Sequence, residues 1–116
     1  MNADVRIRVG GSALDDAAAF VTAWQRAEGG ETTPQRTLSF ETWEAMISVL
    51  SAERFRLLRH LHAHPEPSVS ALARGLNRQY RRVHADVVAL EGAGLIERTN
   101  DAVRATADVL RAEIRF

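Results

Sequence analysis

The sequence contains no cysteine and no lysine, and it has no long run of apolar residues. Without cysteine, the chain cannot form a disulfide framework, a thiolate zinc site, an iron–sulfur cluster or a cysteine nucleophile. No apolar stretch approaches the ~20 residues of a membrane-spanning helix, and the polar start Met1-Asn2-Ala3-Asp4 is not typical of a signal peptide. We therefore expect a cytoplasmic protein without a membrane partner.

The short motifs of common enzymes are also missing. The sequence has no glycine-rich phosphate loop, no activated-serine motif and no suggestive pair of carboxylates. We predict that the protein is not an enzyme and uses no cofactor. His60 and His64 have the i, i+4 spacing of a two-histidine metal site, but no third ligand is evident. We therefore predict no metal site, and a metal-responsive repressor is the least favoured interpretation.

The charges that are present are unevenly distributed. The 116 residues include 15 arginines and 15 acidic residues, so the formal net charge is zero. Residues 51–84 nevertheless contain seven arginines against Glu53 and Glu66, a sum of +5, whereas residues 12–50 sum to −4. Arginine offers a planar fork that matches phosphate groups and guanine edges. The neutral total therefore conceals a basic middle segment that is suited to nucleic acid.

Alternating and helical periodicities predict the elements of the first half. Val5, Ile7 and Val9 alternate with polar residues and predict a strand over residues 4–9. An amphipathic helix is predicted over 13–27, a loop over 28–36, a short strand over 37–40 and a short helix over 41–50. Residues 113–116 alternate again and are predicted to form a closing strand that pairs with residues 4–9.

From Ser51 onwards, the order of elements is that of a winged helix-turn-helix. A helix is followed by a break at Pro65 and Pro67 and then by a short helix over 71–76 that Ser70 caps. A turn leads to a helix over 78–92 that Asn77 caps. A two-stranded ribbon over 95–98 and 103–105 comes last. We predict an α+β, mainly α fold: a winged helix-turn-helix over residues 37–116 with an N-terminal strand-helix extension. That extension, residues 1–36, is predicted to be a dimerisation arm.

Several stretches resemble a prokaryotic family of small winged helix-turn-helix transcriptional regulators, MarR-like or antitoxin-like DNA-binding proteins. They are residues 68–99, the Leu-Ser-Phe-Glu-Thr-Trp-Glu run at 38–44, the Leu-Ser-Ala-Glu-Arg-Phe helix start at 50–55 and Tyr-x-x-Val-His-x-Asp-Val at 80–87. The resemblance departs after Val103, where a longer and less polar segment leads to the last strand. It implies a DNA-binding regulator, and some such regulators resemble antitoxins.

The phase of helix 78–92 indicates which side chains meet DNA. Val83, Val87 and Leu90 lie within roughly 60° of one another on a helical wheel, and arginines occupy the opposite side. We predict a sequence-specific DNA-binding transcriptional regulator, a dimeric repressor that reads the major groove of double-stranded DNA with this helix. The predicted base contacts are Arg78, Gln79 and Arg82, and the predicted phosphate contacts are Arg54, Ser70, Arg74, Tyr80 and Arg81. Arg98 and Arg104 are predicted contacts from the wing, and Trp24 and Trp43 are predicted anchors of a homodimer.

An alternative interpretation is a protein-interaction module. The protein would then be an antitoxin that binds and neutralises a partner toxin and regulates its own expression. In that case the N-terminal strand is expected to present its edge to the partner.

Overall fold

A computed structural model describes residues 3–10 and 35–114 of the chain. The described elements are β1 (Ala3–Val9), β2 (Gln35–Phe40), α1 (Trp43–Val49), α2 (Ala52–Ala63), α3 (Val69–Leu76), α4 (Tyr80–Gly92), β3 (Ile96–Arg98), β4 (Val103–Ala105) and β5 (Ala107–Ile114). None of these helices is long and apolar enough to cross a membrane. Trp24 and the predicted helix over 13–27 lie outside the described residues.

β1 is the central strand of a three-stranded sheet with the order β2-β1-β5. β1 and β2 run parallel, in a register that pairs Ile7 with Leu38. Val5, Ile7 and Val9 are buried, as the alternation predicts, but Arg8 is buried as well. β5 pairs with β1, as predicted for a closing strand, but it starts at Ala107 and not at residue 113, and residues 115–116 lie outside the described part of the chain.

The chain divides into two compact units. We call the first, which consists mainly of Ile47–Asp108, the helical unit; the second, the sheet unit, comprises Ala3–Met46 and Val109–Phe116. β5 contributes to the sheet unit because it pairs next to β1. The predicted division into residues 1–36 and 37–116 stays a prediction.

The predicted fold class is wrong. We expected a mainly α winged helix-turn-helix that carries a strand-helix extension, whereas the described residues form a small α+β structure with four helices and two sheets. β1 is not an appended arm, because it has a neighbouring strand on each side. Local patterns indicate single helices and strands, but strand pairing depends on contacts between distant parts of the chain.

The core of the helical unit is formed by the apolar faces of α2, α3 and α4 together with a small hairpin. α3 packs against α4, α2 packs against β4, and α4 packs against β3. β3 and β4 pair in antiparallel orientation, which confirms the predicted ribbon. The fully buried side chains of this core include Leu57, Leu61, Leu72, Val83, Val87, Leu90 and Leu95.

The helix ends agree with the predictions in part. The Ser51 hydroxyl accepts a hydrogen bond from the backbone N–H of Arg54, which confirms Ser51 as the N-cap of α2. α3 is capped by Ser68 and not by Ser70. Asn77 does not begin α4; it has φ of 54° and ends α3, because asparagine tolerates the left-handed conformation that helix ends often require.

Glu66 joins α2, α3 and β4. Its backbone N–H and carbonyl oxygen form hydrogen bonds of 3.0 and 2.7 Å with the backbone of Val103, and its carboxylate lies 2.9 Å from Nε2 of His60. Gly75 of α3 lies directly against this pair. A Cβ atom at Gly75 would come within 3.1 Å of the His60 ring, so the absence of a side chain allows α3 to approach α2 closely.

Candidate nucleic-acid interface

The connection between α3 and α4 brings six of the eight predicted helix contacts to the walls of two adjoining cavities. An open cavity of about 590 Å³ is bounded by Ser70, Ala73, Arg74, Asn77, Arg78, Gln79 and Tyr80. A second cavity of about 270 Å³ is bounded by Arg78, Gln79 and Arg82. The two cavities share Arg78 and Gln79, so their walls are continuous. We call the residues of the two walls, with the neighbouring Arg81, the α3–α4 surface.

Three arginines of the α3–α4 surface have no acidic partner in the part of the chain that the structure describes. Arg74 lies in the last turn of α3, and Arg81 and Arg82 lie in the first turn of α4. All three are exposed, and none forms an ion pair with a described residue. Unpaired guanidinium groups keep all their donors available for phosphate oxygens. The positive end of the α4 helix dipole adds to the attraction for an anion.

Arg78 is held by two carboxylates, although it borders both cavities. Its Nη2 atom lies 3.0 Å from Oδ2 of Asp86, and its Nε atom lies 3.6 Å from Oε2 of Glu53. Only 21% of its side chain is exposed. A bidentate contact to guanine needs two parallel donors that point at the base. Arg78 does not present such a pair while the two acids hold it.

Arg54, another predicted phosphate contact, is also engaged. Its Nε atom donates to Oδ1 of Asp86 at 3.1 Å, and Nη1 donates to the carbonyl oxygens of Ser48 and Val49 at 3.2 and 2.8 Å. These bonds satisfy the last carbonyl groups of α1 and connect α2 with α4. Arg54 therefore has a structural role in the helical unit.

Asp86 is the residue of this site that sequence reasoning missed. It lies on α4, 85% of its side chain is buried, and its two oxygens face Arg54 and Arg78. A signal for this position was present in the sequence. At ~100° per residue, Asp86 lies about 40° from the buried Leu90 on the helical wheel. An acid so close to the apolar stripe indicates a partner of opposite charge.

The two arginines of the hairpin are both paired. Arg98 forms a two-bond contact with Glu91, from Nε to Oε2 at 3.1 Å and from Nη2 to Oε1 at 2.8 Å. These hydrogen bonds lower the pKa of Glu91 below its usual range and raise the pKa of Arg98. Arg104 donates from Nε and Nη2 to one oxygen of Glu97 at 3.0 and 2.8 Å. Both guanidinium groups are thus partly neutralised by acids, and their predicted contact with DNA stays a prediction.

Two aromatic residues singled out in the sequence, Tyr80 and Trp43, lie at the surface. Tyr80 is 52% exposed, and its ring centroid lies 5.7 Å from that of His84. Trp43, a predicted dimer anchor at the start of α1, is 45% exposed. Trp43 therefore remains available for a partner.

The route proposed for a toxin partner is not supported. We expected β1 to offer its edge, but β2 and β5 cover its two sides. The exposed edges of this sheet belong to other strands. The antitoxin role itself stays a prediction.

Two histidines of α2, His60 and His62, are paired with acids. His60 faces Glu66, and His62 Nε2 lies 2.8 Å from Oδ1 of Asp108. Within residues 3–10 and 35–114, no group of three or more potential ligands is placed to hold a metal ion.

Comparison with protein families places most of the helical unit in a known group. Residues 49–112 match the model of the HVO_A0114 family, which is more than half of the chain. The chain belongs to the HVO_A0114 family. The part matched by HVO_A0114 contains α2, α3, α4 and the hairpin, and therefore the whole α3–α4 surface. No curated protein and no solved structure matches the chain.

Proposed function

We propose that this protein binds double-stranded DNA through the α3–α4 surface and acts in the cytoplasm as a sequence-specific transcriptional regulator, a homodimeric repressor. One observation carries the proposal. Of the nine arginines of Ile47–Asp108, five form ion pairs with described acids and four have no such partner within residues 3–10 and 35–114. Three of those four, Arg74, Arg81 and Arg82, surround the connection between α3 and α4. The charge of a paired arginine is partly compensated by its acid, and this concentration of unpaired ones fits the phosphate backbone of DNA.

We assign base reading to Gln79 and Arg82. Both are exposed, both border the smaller cavity, and they are separated by less than one helical turn. A glutamine amide matches the donor and acceptor of adenine in the major groove, and an arginine fork matches the two acceptors of guanine. Because Val83, Val87 and Leu90 are fully buried, α4 cannot rotate away from this orientation without breaking the core.

We assign the contacts with DNA phosphate groups to Arg74, Arg81 and Ser70. These residues are exposed, and Arg74 and Ser70 border the larger cavity. Contacts to phosphate position a protein on the duplex, while contacts to base edges supply the sequence preference. A single module of this size buries about 600–1,000 Å² on DNA, so two copies on two half-sites give useful specificity. A repressor then needs only to occupy its site.

The test compares Arg82→Ala with Arg59→Ala. Arg59 is the fourth unpaired arginine and lies on α2, so its loss removes the same charge from another element. Wild-type protein first selects bound fragments from a random duplex library, and affinities for the selected duplex are then measured by fluorescence anisotropy. We expect Arg82→Ala to weaken binding about tenfold or more, since a bidentate base contact contributes about 1–3 kcal/mol of discrimination.

Arg59→Ala is expected to change the affinity less than about twofold, because Arg59 does not border the α3–α4 surface. Arg81→Ala should weaken binding to all duplexes alike and reduce the slope of log K against log salt by about one. Equal effects of Arg82→Ala and Arg59→Ala would show that only overall charge matters. A selection that enriches no sequence would refute sequence-specific binding.

A further inference from the structure

We infer that Arg78 contacts a DNA phosphate group only in the complex. In the free protein Glu53 and Asp86 hold it, and it leaves them when DNA reaches the α3–α4 surface. This inference rests on the proposed DNA binding. It concerns the one arginine that borders both cavities and yet is bound to acids in the free protein.

The ion-pair cluster around Arg78 contains one more cation than it needs. Its members are three arginines and two acids: Arg54, Arg56, Arg78, Glu53 and Asp86. Asp86 has a second partner in Arg54 at 3.1 Å, and Glu53 has a second partner in Arg56 at 2.8 Å. If Arg78 leaves, both carboxylates still face a guanidinium group. Any one of the three arginines could leave without an acid losing its last partner, but only Arg78 borders the two cavities, so Arg78 is the member that can move to DNA.

The present position of Arg78 is also incompletely satisfied. Its Nη1 atom is buried and has no hydrogen-bond partner among the described residues. A buried charged donor without an acceptor is unfavourable, because the group has lost its hydration without gaining a partner. Movement of the guanidinium group towards the cavities would expose Nη1 to water or to a phosphate oxygen. The new hydrogen bonds of Nη1 offset part of the electrostatic attraction that Arg78 loses when it leaves Glu53 and Asp86.

Glu53 provides the weaker of the two contacts. Half of its side chain is exposed, and its distance of 3.6 Å to Nε of Arg78 exceeds that of a hydrogen bond. Water and salt screen such a pair strongly. Glu53 can therefore be replaced to loosen Arg78 without disturbing the bond between Arg54 and Asp86.

The test is a double-mutant cycle of Glu53→Gln and Arg78→Ala. The four proteins bind a fluorescein-labelled duplex of mixed sequence, and anisotropy gives the affinity over a series of NaCl concentrations. We expect Arg78→Ala to weaken binding roughly tenfold, as the loss of a charged hydrogen bond implies. The salt slope should fall by about one. Glu53→Gln should strengthen binding about two- to fivefold, the equivalent of one exposed ion pair.

The decisive comparison is the effect of Glu53→Gln when Arg78 is absent. The inference predicts no gain in the Arg78→Ala background. A gain of the same size there would mean that Glu53 acts only through general charge and would overturn the inference, as would unchanged affinity of the single Arg78→Ala variant. Asp101→Asn is the matched control, because Asp101 is an exposed acid whose carboxylate faces no arginine among the described residues; it should give less gain than Glu53→Gln.

The folded state of each variant is checked by thermal unfolding followed by circular dichroism. If Arg78→Ala does not fold, Arg78→Gln replaces it in the cycle and keeps a polar side chain of similar length. Wild-type protein that binds no duplex at low salt would refute the proposed function itself. A DNA affinity that does not change when Arg78 is replaced would refute only the role of Arg78.

Discussion

Asp86 shows how a single carboxylate decides which arginines of the helical unit are available. Its two oxygens hold Arg54 and Arg78, and similar contacts from Glu91 and Glu97 hold Arg98 and Arg104. The sequence identifies every one of these arginines as a candidate for DNA contact. It does not reveal which of them an acid already binds, because the partners of Arg54 and Arg78 on α4 and α2 become neighbours only after folding. The unpaired set is therefore a property of the tertiary structure.

The pair of Glu91 and Arg98 gives a test at the level of one residue. Arg98→Ala removes the hydrogen bonds that lower the pKa of Glu91, so this pKa should rise towards the usual value of about 4.3. An NMR titration of the Glu91 carboxyl carbon measures the change. Arg104→Ala, which removes a guanidinium group from Glu97 instead, is the control and should leave the titration of Glu91 unchanged.

The same pair predicts the direction of a pH effect on stability. A carboxyl whose pKa is lowered by folding stabilises the native state above its unfolded pKa, and this contribution is lost as the pH falls through the folded pKa. The stability difference between wild type and Arg98→Ala should therefore shrink on acidification below about pH 4, near the ordinary glutamate pKa. A difference that grows on acidification would contradict the pairing.

At the scale of elements, local rules were reliable for the interiors of helices and less so for their ends. The apolar stripe of α4 and the cap Ser51 are as predicted. Ser68 and Ser70 both precede or begin the third helix, and sequence alone does not distinguish them as caps. The structure selects Ser68, whose backbone is extended and whose hydroxyl accepts from Ala71 at 3.1 Å. Where α3 starts depends on its packing against α4 as well as on its caps.

This choice can be measured with Ser68→Ala and Ser70→Ala. Loss of the N-cap at Ser68 should lower the free energy of unfolding by about 1 kcal/mol, because one backbone N–H at the helix start loses its acceptor. Ser70 is exposed inside the helix, so its replacement should change stability by less than about 0.5 kcal/mol. Urea denaturation of both variants gives the comparison. A larger loss for Ser70→Ala would reverse the assignment.

For the whole molecule, arrangement matters more than net charge. Residues 51–84 sum to +5, but Ile47–Asp108 contains nine arginines and seven acidic residues, so the helical unit carries only +2. A small net charge implies weak non-specific attraction to DNA. Binding then depends mainly on the few arginines that are unpaired at the α3–α4 surface. The proposal of a homodimer follows from the same consideration, since one copy offers few such contacts.

Trp43 provides the test of that homodimer. Tryptophan is over-represented among the residues that dominate protein–protein interfaces, and Trp43 is 45% exposed. We expect Trp43→Ala to weaken self-association about tenfold or more, as measured by sedimentation equilibrium. Phe55→Ala is the control, because Phe55 is another exposed aromatic, 41% accessible, on α2. Wild-type protein that remains monomeric at every concentration, or equal effects of both variants, would refute the role of Trp43.

The sequence by itself determined the local elements: the strand at residues 4–9, the buried stripe of α4, the hairpin and the concentration of arginines in the middle of the chain. These features depend on periodicity and capping, which act between residues a few positions apart. Only the tertiary structure decided that β1 lies between β2 and β5, and that Asp86 binds Arg54, a residue 32 positions away. Both results come from contacts between distant segments, and such contacts form only when the whole chain packs.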